Sequence, residues 1–485
     1  MVTIARVHEG FIETHQPYVF DHFVDRDREL GYVRDQVRRI REQGFTTEPL
    51  INYWGVKGIG KTWILEHVRQ LYAYRPDEFL VRPTFAVIHS FAGESVLHTL
   101  VQALAYAIST QISAHLFPDE HALLNAATTS GSPEPLVAVL NTLALRFVPV
   151  ILIDNAEHVA PADWQDLGHR LIEPLVIDGR VLVVIAGRRQ APRWAHFDVR
   201  SKTFPAEQTL IRSFSKDAVF NQVSHANYSF GREVVDQFFP YTAGNPQLVD
   251  AIARHLRVWS EGDANNKVDH AWIQRHRTLL IEILGTSLDR LLDQTPQRLY
   301  AYLEAVAPLR FYRLEALRKM LANSGDGAYH ADGYYHQILR ELDQQTEVVW
   351  WERERRAYVT SDVVRQVMSR RQLLADREGY MQRHSMALGM YRGWVNTFPQ
   401  ASEEFIVEIL FHLTCLYLAH SNVEQLQSEV DQQLDFANQY LNLERFHILQ
   451  QQLDGDREIF DLAPIQIRER IIQRLGMFIS AKEQN

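Results

Sequence analysis

The chain carries a single cysteine, Cys415, among 485 residues. An internal disulfide is therefore excluded, which suits a reducing compartment. No cysteine and histidine spacing of a zinc site occurs, and the 21 histidines are scattered, so no metal-ligand cluster of that kind is expected. No run of about 18 apolar residues free of charge is present, which gives no membrane span. Residues Met1 to Thr14 are not an apolar run behind a basic start, so no signal peptide is read there. The expected location is cytoplasmic. An excess of positive charge is also missing. The formal net charge is −10, which argues against a nucleic-acid protein held by bulk electrostatics, while local basic patches remain open. No fixed-period repeat consensus is found. No nucleophile–base pair stands out, although a triad assembled only in the fold stays open.

What is present reads as globular: 46% hydrophobic, 23% charged and 11% aromatic residues. The length predicts three or four domains. One short segment dominates the chemistry. Gly55-Val56-Lys57-Gly58-Ile59-Gly60-Lys61-Thr62 matches the phosphate-binding loop G-x-x-x-x-G-K-[ST] at every fixed position. The glycines let the backbone turn tightly and bring N–H groups toward phosphate oxygens. Lys61 can reach the β- and γ-phosphates as a mobile point charge, and Thr62 can offer its hydroxyl to Mg²⁺. Leu50–Trp54 before the loop reads as a buried strand, and Trp63–Leu71 after it as a helix. Phosphate would then lie at a helix N-terminus, where the dipole favours anions.

From Phe23 to about Gln190, apolar strand-like runs alternate with helical patterns, the signature of a parallel-sheet α/β domain. The expected strands are Leu50–Trp54, Thr84–Ser90, Val148–Ile153 and Val181–Ala186. The expected helices are Asp27–Gln43, Thr62–Tyr74, Glu94–Leu116, Pro133–Leu145 and Pro161–Leu171. From Phe204 the pattern turns helical, with Ser215–His225, Gly231–Phe239 and Pro246–Ser260 clearest and Asp263–Lys267 a polar loop. Next come a helix Thr295–Ala307, with Thr295 as cap before Pro296, a helix Arg313–Ala322 and a third containing His336–Asp343. Glu347–Trp351 and Ala357–Thr360 read as a hairpin around Glu352–Arg355. Three helices and a hairpin in this order suggest a winged-helix domain. The remainder is helical near Tyr380–Val395, Glu403–Leu418, Val423–Leu441 and Ile465–Leu475, and the glutamine-rich stretch Gln425–Gln433 reads as a solvated helix face. The expected fold is thus multidomain α/β plus α: a lead-in (1–20), a parallel-sheet P-loop NTPase domain (21–203), a helical lid (204–285), a winged-helix domain (286–372) and a C-terminal α-helical domain (373–485) that is only suggestively tetratricopeptide-like.

Four further places carry chemistry. Val150-Ile151-Leu152-Ile153-Asp154 puts an Asp at a strand's carboxyl end, where it can hold Mg²⁺ through water or simply cap the next helix. In Asn155-Ala156-Glu157-His158, Glu157 is the candidate to orient an attacking water; His158 could contact nucleotide or pack against the sheet. Ile185-Ala186-Gly187-Arg188-Arg189 can place the Arg188 guanidinium near a γ-phosphate, or be a solvated arginine pair. Thr242-Ala243-Gly244-Asn245-Pro246 is either a nucleotide-linked turn or an ordinary helix start with Pro246 at its first position.

These pieces in this order resemble the STAND class of AAA+-related ATPases, over about residues 20 to 370. Phe23-Val24-Asp25-Arg26-Asp27-Arg28-Glu29-Leu30 resembles that class's opening motif Phe-Val-Gly-Arg-Glu-x-Glu-Leu, with Asp25 in place of the usual Gly. The resemblance implies that Val24 and Arg26 contact the adenine and ribose side of the nucleotide. It extends the nucleotide contacts over loop 55–62 and Trp63. Asn155 stands where many AAA+ motors have their catalytic Glu, which implies slow hydrolysis or little of it. Arg188 matches the first sensor arginine. Gly244 and Pro246 match a Gly-x-Pro motif whose proline touches the adenine region. Tyr358 to Arg365 resembles the Met-His-Asp signature of immune and apoptotic switches, with Asp362 matching and Ser361 where the ADP-sensing His would be.

The resemblance implies a nucleotide-dependent switch with ATP or ADP and Mg²⁺ as cofactors. It also implies slow ATPase activity, self-association in the ATP state and a C-terminal region that senses a ligand or partner. Fewer than 25 residues precede the α/β pattern, so the effector is expected on a separate polypeptide. The alternative is a DNA-loading ATPase similar to Orc/Cdc6 proteins; Arg353, Arg355 and Arg356 favour it, while Glu352, Glu354, Asp332, Glu341 and Asp343 oppose it. A nucleotide-binding scaffold that scarcely hydrolyses is the third reading.

Overall fold

The computed structural model describes residues 18–76, 81–91, 97–190, 197–226, 228, 230–260, 275–322 and 331–484. Most of the lead-in, the expected helix start at Glu94 and the polar loop Asp263–Lys267 lie outside these residues. The chain divides into two compact units. One is Met1–Ser213 with Asn221–Tyr228, the other Phe214–Phe220 with Ser229–Asn485. The finer boundaries at 285 and 372 fall inside the second unit.

The first unit is built on four parallel strands: β1 (Leu50–Trp54), β2 (Thr84–Ser90), β3 (Val148–Asp154) and β4 (Leu182–Gly187). Their order is β1-β4-β3-β2. Strands β1, β3 and β4 are buried at every position, because their apolar runs are covered on both faces, as a parallel sheet requires. Alternate residues sort to opposite sides. Phe85, Val87, Ile151, Ile153, Val183 and Ile185 join the core formed with helices Leu97–Gln111, Pro118–Ser130 and Pro133–Leu143. Helices Asp27–Gln43 and Lys61–Leu71 also contact β3. Each such fully buried Val, Leu or Ile side chain stabilises the fold by roughly 1.5–3 kcal/mol over an exposed one.

The register fixes what meets at the carboxyl edge. Trp54 pairs with Gly187, and Ile153 pairs with Ile185. The ends of β1, β3 and β4 are therefore level. The chain returning after β4 runs along the free side of β1, through parallel bridges Leu50–Thr203 and Trp54–Leu210.

Several expectations need correcting. The helix expected over Glu94–Leu116 ends at Gln111, and a separate helix runs Pro118–Ser130. Pro118 disfavours helical geometry at the residue before it and starts a new helix instead. The helix expected over Pro161–Leu171 stops at Leu167, followed by a π turn Gly168–Ile172. Thr295 does not cap a helix at Pro296. Pro296 itself precedes a 3₁₀ turn, Gln297–Leu299, before the helix Tyr300–Val306.

The second unit holds helices Arg232–Thr242, Pro246–Ser260, Arg277–Leu291, Tyr300–Val306, Leu314–Ala322 and Asp332–Gln345, then an antiparallel pair, β5 (Val349–Glu352) and β6 (Ala357–Thr360). Tyr312 pairs with Tyr358 on the far side of β6. Helices Asp362–Ala375, Arg377–Thr397, Ser402–His420, Val423–Tyr440, Leu443–Asp454, Arg457–Leu462 and Ile465–Glu483 complete the unit. In the glutamine-rich helix, Gln425, Gln427 and Gln432 are exposed, but Gln433 is buried beside Leu434.

A polar network lies in this unit's core. The Arg310 guanidinium donates to Glu408 at 2.9 Å and also to Asp456. Arg365 donates to Glu458. Both guanidinium groups lie over the Phe411 ring, at 4.7 and 5.5 Å. Burial pulls the Arg310 pKa down, yet Asp456 and Glu408 outweigh it and hold the group charged. Beside them, Nδ1 of His384 lies 2.9 Å from Nδ1 of His412. One ring must donate and the other accept, so at least one of the two is neutral.

Candidate functional site: a phosphate loop at the carboxyl edge of the sheet

The loop between β1 and helix Lys61–Leu71 carries left-handed backbone at Gly58 (φ 75°) and Gly60 (φ 101°), with Gly55 at φ 154°. Side chains rarely accept these values. Gly60 is the N-cap of the helix, so the loop ends where unpaired N–H groups and the helix dipole point. Val56 and Ile59 are buried and anchor the loop, while Lys57 and Gly58 are half-buried. The Lys61 ammonium donates to the carbonyls of Gly55 (2.6 Å) and Val56 (3.0 Å). It thus folds back over the loop that phosphate would occupy.

Thr62 and Asp154 meet. The Thr62 hydroxyl donates to Asp154 Oδ2 at 2.7 Å, although 92 residues separate them in sequence. Burial raises the Asp154 pKa, against the opposing hydrogen bond from Thr62, the Asn155 amide and the charge of Lys61. The other oxygen, Oδ1, is buried with no hydrogen-bond partner among the described residues. A buried carboxylate oxygen left without a donor costs about 1–3 kcal/mol or more, and a divalent cation with its waters is the partner this donor set suits.

Glu157 and Arg188 also meet. Arg188 Nε donates to Glu157 Oε1 at 3.1 Å, with side chains 8% and 10% exposed. Arg188 is therefore not a solvated arginine. Glu157 Oε2 is buried with no hydrogen-bond partner among the described residues. Glu157 lies on a 3₁₀ turn, Ala156–His158, entered through Asn155 at φ 54°. The Asn155 side-chain amide Nδ2 donates to Ser90 Oγ at 2.8 Å, which fastens the end of β3 to the end of β2. His158 is exposed.

The other expected residues sit apart from this cluster or face differently. Val24 is half-buried, and Trp63 lies edge-on to Tyr18, with ring centres 5.3 Å apart. Asp25 adopts φ 51°, the left-handed geometry that explains a Gly in the resembling motif and that Asp tolerates. Arg26 is buried and donates to two backbone carbonyls, Ile59 O at 2.8 Å and Arg212 O at 3.0 Å. Pro246 and Ser361 belong to the second unit. Pro246 opens its helix behind Asn245, whose side chain accepts from the Leu248 amide at 3.1 Å. Ser361 is buried before helix Asp362–Ala375, and its amide donates to Val348 O at 2.7 Å. Sequence reading missed the Asn155–Ser90 contact, the hydrogen bonds of Arg26 to Ile59 O and Arg212 O, and the Trp54–Leu210 bridge. A non-glycine residue between strand and turn, such as Asn155, was the available signal for the first.

Among the described residues no helix is long and apolar enough to cross a membrane. The geometry is that of a P-loop NTPase fold. No family model matches the chain, and no curated protein matches it. Among solved structures it is similar to the Walker-type ATPase of Pyrococcus abyssi (14% identity, TM-score 0.47, covering 73% of this chain and 99% of that one). It is similar to the Cdc6 protein of Pyrobaculum aerophilum (12%, TM-score 0.37, 74% and 96%). It is also similar to the Orc1 protein of Aeropyrum pernix in complex with DNA (16%, TM-score 0.37, 77% and 97%). At these values the likeness decides neither family nor function.

Proposed function

We propose that the chain is an AAA+-type ATPase that binds Mg²⁺-nucleotide on loop 55–62 and uses it as a slow switch. The observation that supports this reading is the Thr62–Asp154 contact at 2.7 Å, with the second Asp154 oxygen unpartnered among the described residues. In this reading Lys61 leaves the Gly55 and Val56 carbonyls for the β- and γ-phosphates. Thr62 and Asp154 would hold Mg²⁺, in part through water, and the bound ion would supply charge neutralisation of the phosphates. Glu157 orients water once Arg188, its present partner, turns to the γ-phosphate. Val24 and Trp63 would border the nucleotide, and Pro246 and Ser361 remain candidate nucleotide contacts. Residues 204–285 would form a helical lid, and residues 286–372 a winged-helix domain. The C-terminal helices would receive the signal. The ATP form would self-associate and control a separate effector. Moving such a switch from 1:99 to 99:1 needs about 5.5 kcal/mol of differential binding.

A second reading is a DNA-loading ATPase. Arg353, Arg355 and Arg356 on the β5–β6 turn are exposed, and the similar structures include a Cdc6 protein and an Orc1 protein, the latter in complex with DNA. Against it, Arg355 pairs with Glu352 at 3.1 Å. Light scattering with ADP, then with a non-hydrolysable ATP analogue and Mg²⁺, tests the switch. ATP-specific growth to a defined oligomer supports it. A monomer in both states, with salt-dependent DNA binding, supports the loader.

A further inference from the structure

The phosphate loop is tied at both ends to the segment by which the chain leaves the first unit's main stretch. At its start, the Ile211 amide donates to Trp54 O at 2.8 Å. A Cβ on Gly55 would come within 3.1 Å of Ile211 O. Near its end, one Arg26 nitrogen donates to Ile59 O at 2.8 Å and another to Arg212 O at 3.0 Å. A guanidinium is planar, with several N–H donors in a fixed fork, so one rigid group spans the two segments. The trans peptide adds a consequence. C=O and N–H of one peptide unit point in opposite directions. Holding Ile59 O outward therefore aims the Gly60 N–H inward, where a phosphate oxygen would take it. Arg26 lies against this peptide unit, with Nη2 4.0 Å from where a Gly60 Cβ would be.

We propose that Arg26 is a positioning residue that sets the Gly60 N–H for phosphate and couples occupancy of loop 55–62 to segment Leu210–Ser213. This rests on the reading of that loop as the nucleotide site. It differs from the role the opening-motif resemblance implies, which is contact with adenine and ribose. Both nitrogens described here are spent on backbone carbonyls of the protein itself.

Hydrogen exchange of the full chain tests it, with a non-hydrolysable ATP analogue and Mg²⁺, on wild type, Arg26→Gln and Arg26→Lys. In the wild type, nucleotide slows exchange in peptides covering 55–62 and 210–213 together. Arg26→Gln offers one short amide nitrogen and cannot span both carbonyls. It should bind about tenfold more weakly, protect 55–62 at saturating nucleotide and lose the nucleotide-dependent protection of 210–213. Arg26→Lys, with one ammonium on a long stem, should recover part of that protection. Full protection of 210–213 in Arg26→Gln would overturn the coupling. So would complete loss of nucleotide binding in both folded variants, because Arg26 would then be a ligand contact. Failure of the wild type to protect 55–62 would overturn the nucleotide reading itself, and the coupling with it.

Discussion

At the scale of residues, the site is a set of paired polar groups in which one oxygen of Asp154 and one of Glu157 stay without a hydrogen-bond partner among the described residues. Lys61 holds two loop carbonyls, Thr62 holds one Asp154 oxygen, and Arg188 holds one Glu157 oxygen. Each pair can be tested by replacement. Glu157→Gln should retain ATP affinity and lower single-turnover hydrolysis by roughly 10²-fold or more; unchanged turnover would assign water orientation elsewhere. Asp154→Ala should weaken ATP binding more with Mg²⁺ than without it, and equal loss in both conditions would remove its metal role. The histidine pair gives a pH dependence. Burial, then the neighbouring charges, hold His384 and His412 well below the ordinary histidine value. Their folded pKa values are depressed, so the stability they contribute is present above the unfolded value near 6.5 and is lost as the pH falls below it. Thermal unfolding from pH 7 to pH 5 should show a falling midpoint, with a shallower fall in His412→Leu. Loop 55–62 and the strand ending in Asp154 were legible because fixed chemistry at fixed spacing marks them. The Arg188–Glu157 and Arg310–Glu408–Asp456 contacts were not, since nothing local tells an arginine that it will be buried against a distant carboxylate.

At the scale of elements, apolar periodicity and turn chemistry located all four sheet strands and about half of the expected helices to within a residue or two, and left helices Arg277–Leu291 and Asp362–Ala375 unread. Asp27–Gln43, Leu50–Trp54, Thr84–Ser90 and Pro246–Ser260 match in full. Two of the failures share a cause. Around Phe117–Pro118 and Gly168–Ile172 the apolar pattern continues while the backbone changes, and periodicity alone does not register that. Sheet order was likewise unreadable, because β4 inserts between β1 and β3 through pairings that no single strand announces. Gly244 shows how tightly one turn is specified. It has φ 61°, and a Cβ there would lie 2.2 Å from Phe214 O. Gly244→Ala should cost roughly 2–4 kcal/mol in denaturant unfolding, since backbone must move. A cost under half of that would mean that the turn relaxes freely.

At the scale of the molecule, two compact units are joined by a chain that first passes along the phosphate loop. The second unit is held by charge as well as by apolar packing. Glu408→Ala would leave the Arg310 guanidinium with part of its buried pairing removed, and should lower stability by about 3–5 kcal/mol. All of this supports a nucleotide-reading machine only if loop 55–62 binds nucleotide. Calorimetric titration of the full chain with ATP, with and without Mg²⁺, for wild type and Lys61→Ala tests that claim directly. The account predicts tight binding by the wild type that strengthens with Mg²⁺ and disappears in Lys61→Ala. Equal ATP affinity in the two proteins would contradict it.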